Sequence, residues 1–515
     1  MGVIHANPGP GVRPGALIHS LLDEAVADAP DAHAVRDAAG VWTYARLGEL
    51  SRAAAAWLAA RGVGRGDRVL VQLPSIRETV ALFYGASRIG AVFVPVNPAM
   101  KEFHLGAVIG NAEPALVITT GERTGVLAGL TSAPVHDLGS VWTEVERAAG
   151  QGAREGSAPA PDGVRPDDVA VLIYTSGSTA APKAVVCPHA QVVFATRALV
   201  GELGYRADDV VFCRFPLSWD YGLYKVLMTC AARCEIVLAD AESDLVLLRR
   251  MRETGATVVP IVPSLAAMIA TLARRETGAP PPVRMFTNTG AALPPATIEA
   301  LRAAFPGVRV VRQFGQTECK RISVMPPEED RERPDAVGRP LPGTRVLILG
   351  EDGRELPPGQ VGEIVVTGPH VMPGYWRAPE VTARTFRRDP ATGETRLHTG
   401  DYGSLDADGY LYFEGRRDDM FKRKGIRMST IEIEAAAMDL PGVRAAAVLP
   451  PTADRDLALC VETELEPHVV LRELARRLEP AKVPALCRTV TDLPLTLHGK
   501  NERASLAALF EGSTR

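Results

Sequence analysis

A chain of 515 residues is longer than one hydrophobic core supports, so at least two domains are expected. Apolar residues make up 46% and charged residues 23%, the balance of a globular protein and not of a disordered one. The net charge of −4 leaves no footprint for nucleic acid, no apolar run reaches membrane-spanning length, and the opening MGVIHANPGP lacks signal-peptide regions; a cytoplasmic protein is expected, with neither a nucleic-acid nor a membrane partner.

In chain order, short apolar segments over residues 68–72, 210–214, 234–238, 256–260 and 283–288 read as strands. Amphipathic segments over 78–89, 223–232, 245–253 and 297–304 read as helices between them. This alternation predicts a layered α/β architecture with parallel sheet. The Pro/Gly-rich stretch 151–168 reads as a surface connection. An apolar run, 169–174, predicts a buried strand that leads into TSGSTAAPK, Thr175 to Lys183. Small side chains there let backbone N–H groups and hydroxyls close around a polyphosphate, and Lys183 supplies positive charge. The loop is not GxxxxGK[ST], because no Ser or Thr follows the lysine. From about Asp418 the pattern changes: Ser429-Thr-Ile-Glu432 has the spacing of a capping box, followed by apolar strands over 443–449 and 457–462 and a helix over 469–478. About a hundred residues of this kind suit a small α+β domain. Domains are expected over 1–417 and 418–515. The seven cysteines are odd in number and scattered, which suits reduced thiols.

Several further motifs stand in a fixed order: GAVFVPVNP (residues 90–98), the TSGSTAAPK loop, FGQTE (314–318), HTGD (398–401), GRRDDMFKRKG (415–425) and LTLHGKNER (495–503). Together they resemble the adenylate-forming superfamily of acyl-CoA synthetases, peptide-synthetase adenylation domains and luciferases. The resemblance implies a large N-terminal α/β domain, a small mobile C-terminal domain hinged at Asp418, and ATP and Mg²⁺ as cofactors. It places Thr175, Ser176, Gly177, Ser178, Thr179 and Lys183 around the phosphates. It puts Phe314 against adenine beside Gly290, Ala291 and Ala292, Thr317 on the α-phosphate, Glu318 on the metal, and Asp401 and Arg416 on the nucleotide. Lys500 is the implied catalytic lysine, bridging the attacking carboxylate and the α-phosphate. A Thr-Gly-Asp sequence is expected to form a tight turn. Ala180 and Ala184 depart from glycines common in the family's phosphate loop; a left-handed backbone at either would cost about 1 kcal/mol or more.

The segment FPLSWDYGLYKVLM (215–228) matches the stretch that opens the family's acyl pocket. Ser218-Trp219-Asp220 looks like amino-acid-activating members, where the aspartate binds the substrate amine; alternatively Asp220 caps the helix that follows. Lys320 and Arg321 are two cations suited to a second carboxylate, unless they pair with Glu328 or Glu329. Thr289 and Gly315 complete the expected substrate contacts. The chain most resembles stand-alone β-amino-acid-selective adenylation enzymes of macrolactam pathways, with an acidic substrate such as aspartate or 3-methylaspartate. The acyl acceptor is expected to be the phosphopantetheine thiol of a separate carrier protein, or coenzyme A. A fatty- or aryl-acid CoA ligase and a non-catalytic nucleotide-binding homologue are the alternatives.

Overall fold

The computed structural model describes residues 17–510 apart from 101, 152–162, 176–182, 240–242, 277, 417–419, 424–425, 453–454, 479 and 495–502. Two compact units divide the chain: Met1–Val346 with Val365–His398, and Leu347–Ile364 with Thr399–Arg515. Asp418, the expected hinge, lies outside the described residues, as does Lys500.

The first unit carries two sheets whose cores are parallel. In one, strands Arg309–Phe314, Met285–Asn288, Val258–Ile261, Val210–Cys213, Glu235–Leu238 and His33–Asp37 lie side by side in that order, all parallel. Antiparallel strands Gly40–Thr43 and Ser323–Val324 extend its two sides. In the other, Val135–Asp137, Leu116–Thr119, Arg68–Gln72, Val92–Pro95 and Val169–Thr175 are parallel, and Lys183–Pro188 runs back along the last. Central strands such as Val258–Ile261 and Val92–Pro95 are buried along their whole length, as parallel strands between helical layers must be. Leu199 and Leu203 of helix His189–Leu203 and Met228 of helix Asp220–Ala232 pack on Val211, Val258, Met285 and Val311.

Helix Asp220–Ala232 is buried continuously from Tyr221 to Cys230, so it lies inside the unit instead of on its surface. It begins three residues before the expected start. The polar Asp-Tyr-Gly opening reads as a turn locally, yet tertiary packing extends the helix through it. Gly222 is required there: a Cβ would sit 2.3 Å from the carbonyl oxygen of Pro216, whose segment folds over the helix start.

In the second unit, strands Val443–Leu449 and Ala458–Thr463 are antiparallel, and Leu486–Val490 adds a parallel third strand that the sequence reading lacks. Ile433, Leu457, Leu459, Val461, Val470 and Leu474 form its core with helices Thr430–Met438 and Pro467–Leu474. The α/β and α+β characters of the two units follow the expectation. Among the described residues, no helix is long and apolar enough to cross a membrane. All seven cysteines are free thiols.

Candidate active site

Ligands of open α/β sheets bind beyond the carboxyl ends of the strands. Three such ends meet here: the chain leaves strand Val210–Cys213 into residues 215–219, leaves Met285–Asn288 into Thr289 and Gly290, and leaves Arg309–Phe314 into the FGQTECKR loop. That loop closes on itself, since Ile322 N donates to the Phe314 carbonyl at 2.8 Å. Gly315 makes the closure possible: a Cβ would lie 2.7 Å from Cα of Arg321. Lys320 takes the left-handed backbone, φ 62°, a strained conformation for a non-glycine residue that costs roughly 1–3 kcal/mol and clusters at functional sites.

The strain aims two cations inward. Lys320 is 2% exposed and Arg321 3%. Lys320 Nζ donates to Oδ2 of Asp220 at 2.9 Å and to the Asp220 carbonyl at 3.0 Å, over the ring of Tyr224 at 4.2 Å. Arg321 Nη1 donates to the Thr289 hydroxyl at 2.6 Å. Neither cation pairs with the neighbouring acids: Glu328 pairs with Arg309 and Glu329 with Arg339. Asp220 is the first residue of its helix and not its cap, which is Trp219. Its side chain remains 25% exposed. Burial pushes the Asp220 carboxyl up, but Lys320 and then Arg321 outweigh it, and the net direction is down. Burial pulls Lys320 down to about 8 against the opposing pull of Asp220. Arg321 is likewise lowered by burial, with Tyr221 and Asp220 opposing.

A third cation escaped the sequence reading. Lys225, 1% exposed, lies five residues beyond Asp220 in the same helix, with Nζ 3.4 Å from the Tyr205 hydroxyl and 4.9 Å from the Tyr221 ring. Burial, then Lys320 and Arg321, hold it well below its ordinary value. A lysine inside an apolar helical run was the available signal. Ser218 Oγ, Asn288 Oδ1, Gln316 Nε2 and Arg321 Nε are buried without a hydrogen-bond partner among the described residues. Buried polar atoms rarely stay unpaired, and at the carboxyl ends of the strands these four are available to a ligand or to water.

On the nucleotide side, Thr175 and Lys183 face each other across the antiparallel pair that frames the phosphate loop. Ser176, Gly177, Ser178, Thr179 and Ala180 lie outside the described residues. Ala184 is buried in strand Lys183–Pro188 and is absent from the residues with positive φ, so alanine carries no left-handed strain there. The Asn288 amide holds the turn that follows, donating to Ala291 O at 2.9 Å, and Gly290 has φ +89°. Phe314, Gln316, Thr317 and Glu318 are half-buried along the loop. The Glu318 carboxylate accepts from the Tyr375 hydroxyl at 2.6 Å. Its second oxygen, Oε2, enters no hydrogen bond among the described residues, which suits one carboxylate held ready for a hard divalent ion that takes its other ligands from phosphate and water.

In the second unit, Asp401 and Arg416 are cross-strand neighbours, with Nε 3.3 Å from Oδ1. The expected tight turn is absent: residues 398–401 belong to one long strand, Thr395–Leu405, in which Gly400 takes φ +70°. A separate cleft of about 310 Å³, lined by Asp31, His33, Asp208 and Glu235 among others, opens at the amino ends of the first sheet's strands, the wrong edge for this chemistry.

Fold and site together define an adenylate-forming enzyme. Residues 22–376 match the family described as AMP-binding enzyme, and the chain belongs to that family. It is 56% identical to VinN, aligned over 79% of this chain and all of VinN at a TM-score of 0.74. VinN has been solved with L-aspartate and with 3-methylaspartate. ATP-bound MatB from Rhodopseudomonas palustris is 30% identical over 97% of this chain and all of its own, at a TM-score of 0.84. CymA of Salinispora arenicola, a probable non-canonical nonribosomal peptide synthetase, is 32% identical over 98% of this chain, which spans only 6% of CymA's length.

Proposed function

We propose that this chain uses ATP to activate an amino acid carrying a second carboxylate, aspartate or 3-methylaspartate in type, and passes it to the phosphopantetheine thiol of a separate carrier protein. The observation that carries the reading is Arg321. Its guanidinium is buried, yet the group it donates to is the Thr289 hydroxyl, and Asp220 is already engaged by Lys320. One carboxylate, Asp220, is shared by two buried cations, and buried charge without a full partner is costly, so the site is short of negative charge until an anionic substrate enters. VinN's complexes with L-aspartate and 3-methylaspartate support the same chemistry.

In this reading the substrate ammonium takes an oxygen of Asp220, while Lys320 and Arg321 hold the carboxylate that does not react, with Thr289 fixing the Arg321 fork. The other carboxylate attacks the α-phosphorus of ATP. The new C–O–P link forms as the bond to pyrophosphate breaks, giving the aminoacyl-adenylate. Two anions approach in that step, so pre-aimed donors carry the catalysis. Lys183 and the 175–179 segment hold the departing phosphates, Thr317 contacts the α-phosphate, and Lys500 bridges it to the attacking carboxylate. Mg²⁺, when bound at Glu318, neutralises phosphate charge. Asp401 and Arg416 hold the nucleotide. Rotation at Asp418 then withdraws Lys500 and admits the thiol, a domain motion that separates two steps.

The test is acid-dependent ATP–pyrophosphate exchange over α-amino, β-amino, dicarboxylic, fatty and aryl acids, with wild type and Arg321→Met. Preference for aspartate-like acids should fall by about a hundredfold or more in the variant, because one partner of a buried charge pair is removed. Equal use of fatty or aryl acids by both proteins would establish a CoA ligase instead. Silence with every acid would favour a nucleotide-binding homologue.

A further inference from the structure

One short segment, Met372 to Trp376, holds both sides of the nucleotide site. Its backbone binds Glu318 directly: Met372 N donates to the Glu318 carbonyl at 2.9 Å. Three residues on, the Tyr375 hydroxyl donates to Oε1 of the same residue at 2.6 Å. The segment also pairs with the strand that begins at Lys183. Val186 N donates to Gly374 O at 3.0 Å, and Trp376 N donates to Ala184 O at 2.8 Å. Helix Pro379–Thr385 clamps it from behind, because Tyr375 N donates to Thr382 Oγ1 at 3.0 Å and the Tyr375 ring meets Phe386 edge-on at 5.5 Å. Gly374, at φ +150°, allows that approach: a Cβ would lie 2.4 Å from the Thr382 methyl.

A glutamate has three rotatable bonds, and holding it in one rotamer loses side-chain entropy whenever it must act. A phenol donor at hydrogen-bond distance to one oxygen removes much of that freedom in advance and leaves the other oxygen to coordinate. We propose that Tyr375 is a positioning residue for the divalent cation that accompanies ATP, fixing the Glu318 carboxylate and tying it, through the 372–376 backbone, to the strand that carries Lys183. The proposal rests on the ATP-dependent reading above. Partners that orient a metal ligand without touching the metal typically matter by 10- to 100-fold in metal affinity.

The experiment is calorimetric titration of the full chain with ATP, in EDTA and then over a series of Mg²⁺ concentrations, for wild type, Tyr375→Phe, Glu318→Gln and the double variant. Phenylalanine keeps the ring against Phe386, and thermal melting checks the fold. In Tyr375→Phe the Mg²⁺ concentration giving half-maximal tightening of ATP should rise about tenfold or more, with ATP affinity in EDTA unchanged. In the Glu318→Gln background the same substitution should change nothing further. An unshifted Mg²⁺ midpoint overturns the proposal. So does an equal loss in both backgrounds, or a loss already present in EDTA with a lowered melting temperature, since these mark a purely structural tyrosine. A wild type whose ATP binding ignores Mg²⁺ would sink the ATP-dependent reading itself, before any substitution is compared.

Discussion

Two buried polar clusters in the first unit are handled in opposite ways. Around Asp220, Lys320 and Arg321 the charges are kept: the carboxyl is lowered by its cationic neighbours despite burial, and the Lys320 ammonium survives to about 8. Where helix Ile18–Asp28 docks, the charges are given up. Ile18 N donates to His189 Nδ1 at 3.1 Å, and His19 Nδ1 lies 3.0 Å from the Ser87 hydroxyl. Burial pulls both imidazoles down to about 4; the positive charge of Arg88 adds to this at His19, and His19 itself adds to it at His189. Packing alone is satisfied most cheaply by neutral groups, so the histidines lose their protons. Retained buried charge is what separates the two, and it marks the cluster that awaits a ligand.

The largest effect is expected from Asp220→Ala. If the carboxylate is kept for a substrate ammonium, discrimination between an amino acid and its deaminated analogue should collapse by a factor on the order of 10⁴, read as the ratio of pyrophosphate-exchange rates. Unchanged discrimination would reduce Asp220 to a counter-ion for Lys320.

Acid titration probes the other cluster. The folded imidazoles sit at about 4 against an ordinary 6.5, so between those values the unfolded chain binds more protons. Their contribution to stability is therefore full above about 6.5 and falls as pH drops towards 4. Melting temperature should decline over that window, with amide exchange rising first in helix Ile18–Asp28, and the decline should be shallower in His19→Asn. The Asp220 carboxyl, lowered from 3.8, keeps its charge throughout, so the pocket should not contribute to the decline. A melting curve indifferent to pH from 7 to 4 would mean the histidines are not held neutral.

The smallest effect is expected at Thr289. Its hydroxyl accepts from Arg321 at 2.6 Å, and hydrogen bonds to charged groups contribute about 1.5–3 kcal/mol. Thr289→Val should raise KM for an aspartate-like acid about tenfold with kcat little changed. A change in kcat alone would place Thr289 on the reacting side of the pocket instead.

Local pattern was enough for much of this molecule. Apolar runs bounded by turn residues predicted strands at 68–72, 210–214 and 283–288, and each is present within two residues. Pattern failed where long-range contact decides. The Asp-Tyr-Gly opening became helix because Pro216 packs over Gly222, and strand Leu486–Val490 forms only because Ala458–Thr463 offers it an edge. Lys225 carries only the faint signal of a solitary lysine in an apolar helix, and Tyr375 carries none, since it lies 57 residues from the glutamate it holds.

The family and the order of the motifs are legible from the residues alone, because phosphate loops and their companions are short and local. That Lys320 pairs with Asp220 while Arg321 faces a hydroxyl, and that Ala184 sits in unstrained strand, follows from long-range packing. Burial and pairing depend on what the fold places alongside each residue, and a charge in water and a charge in a protein interior are written with the same letter.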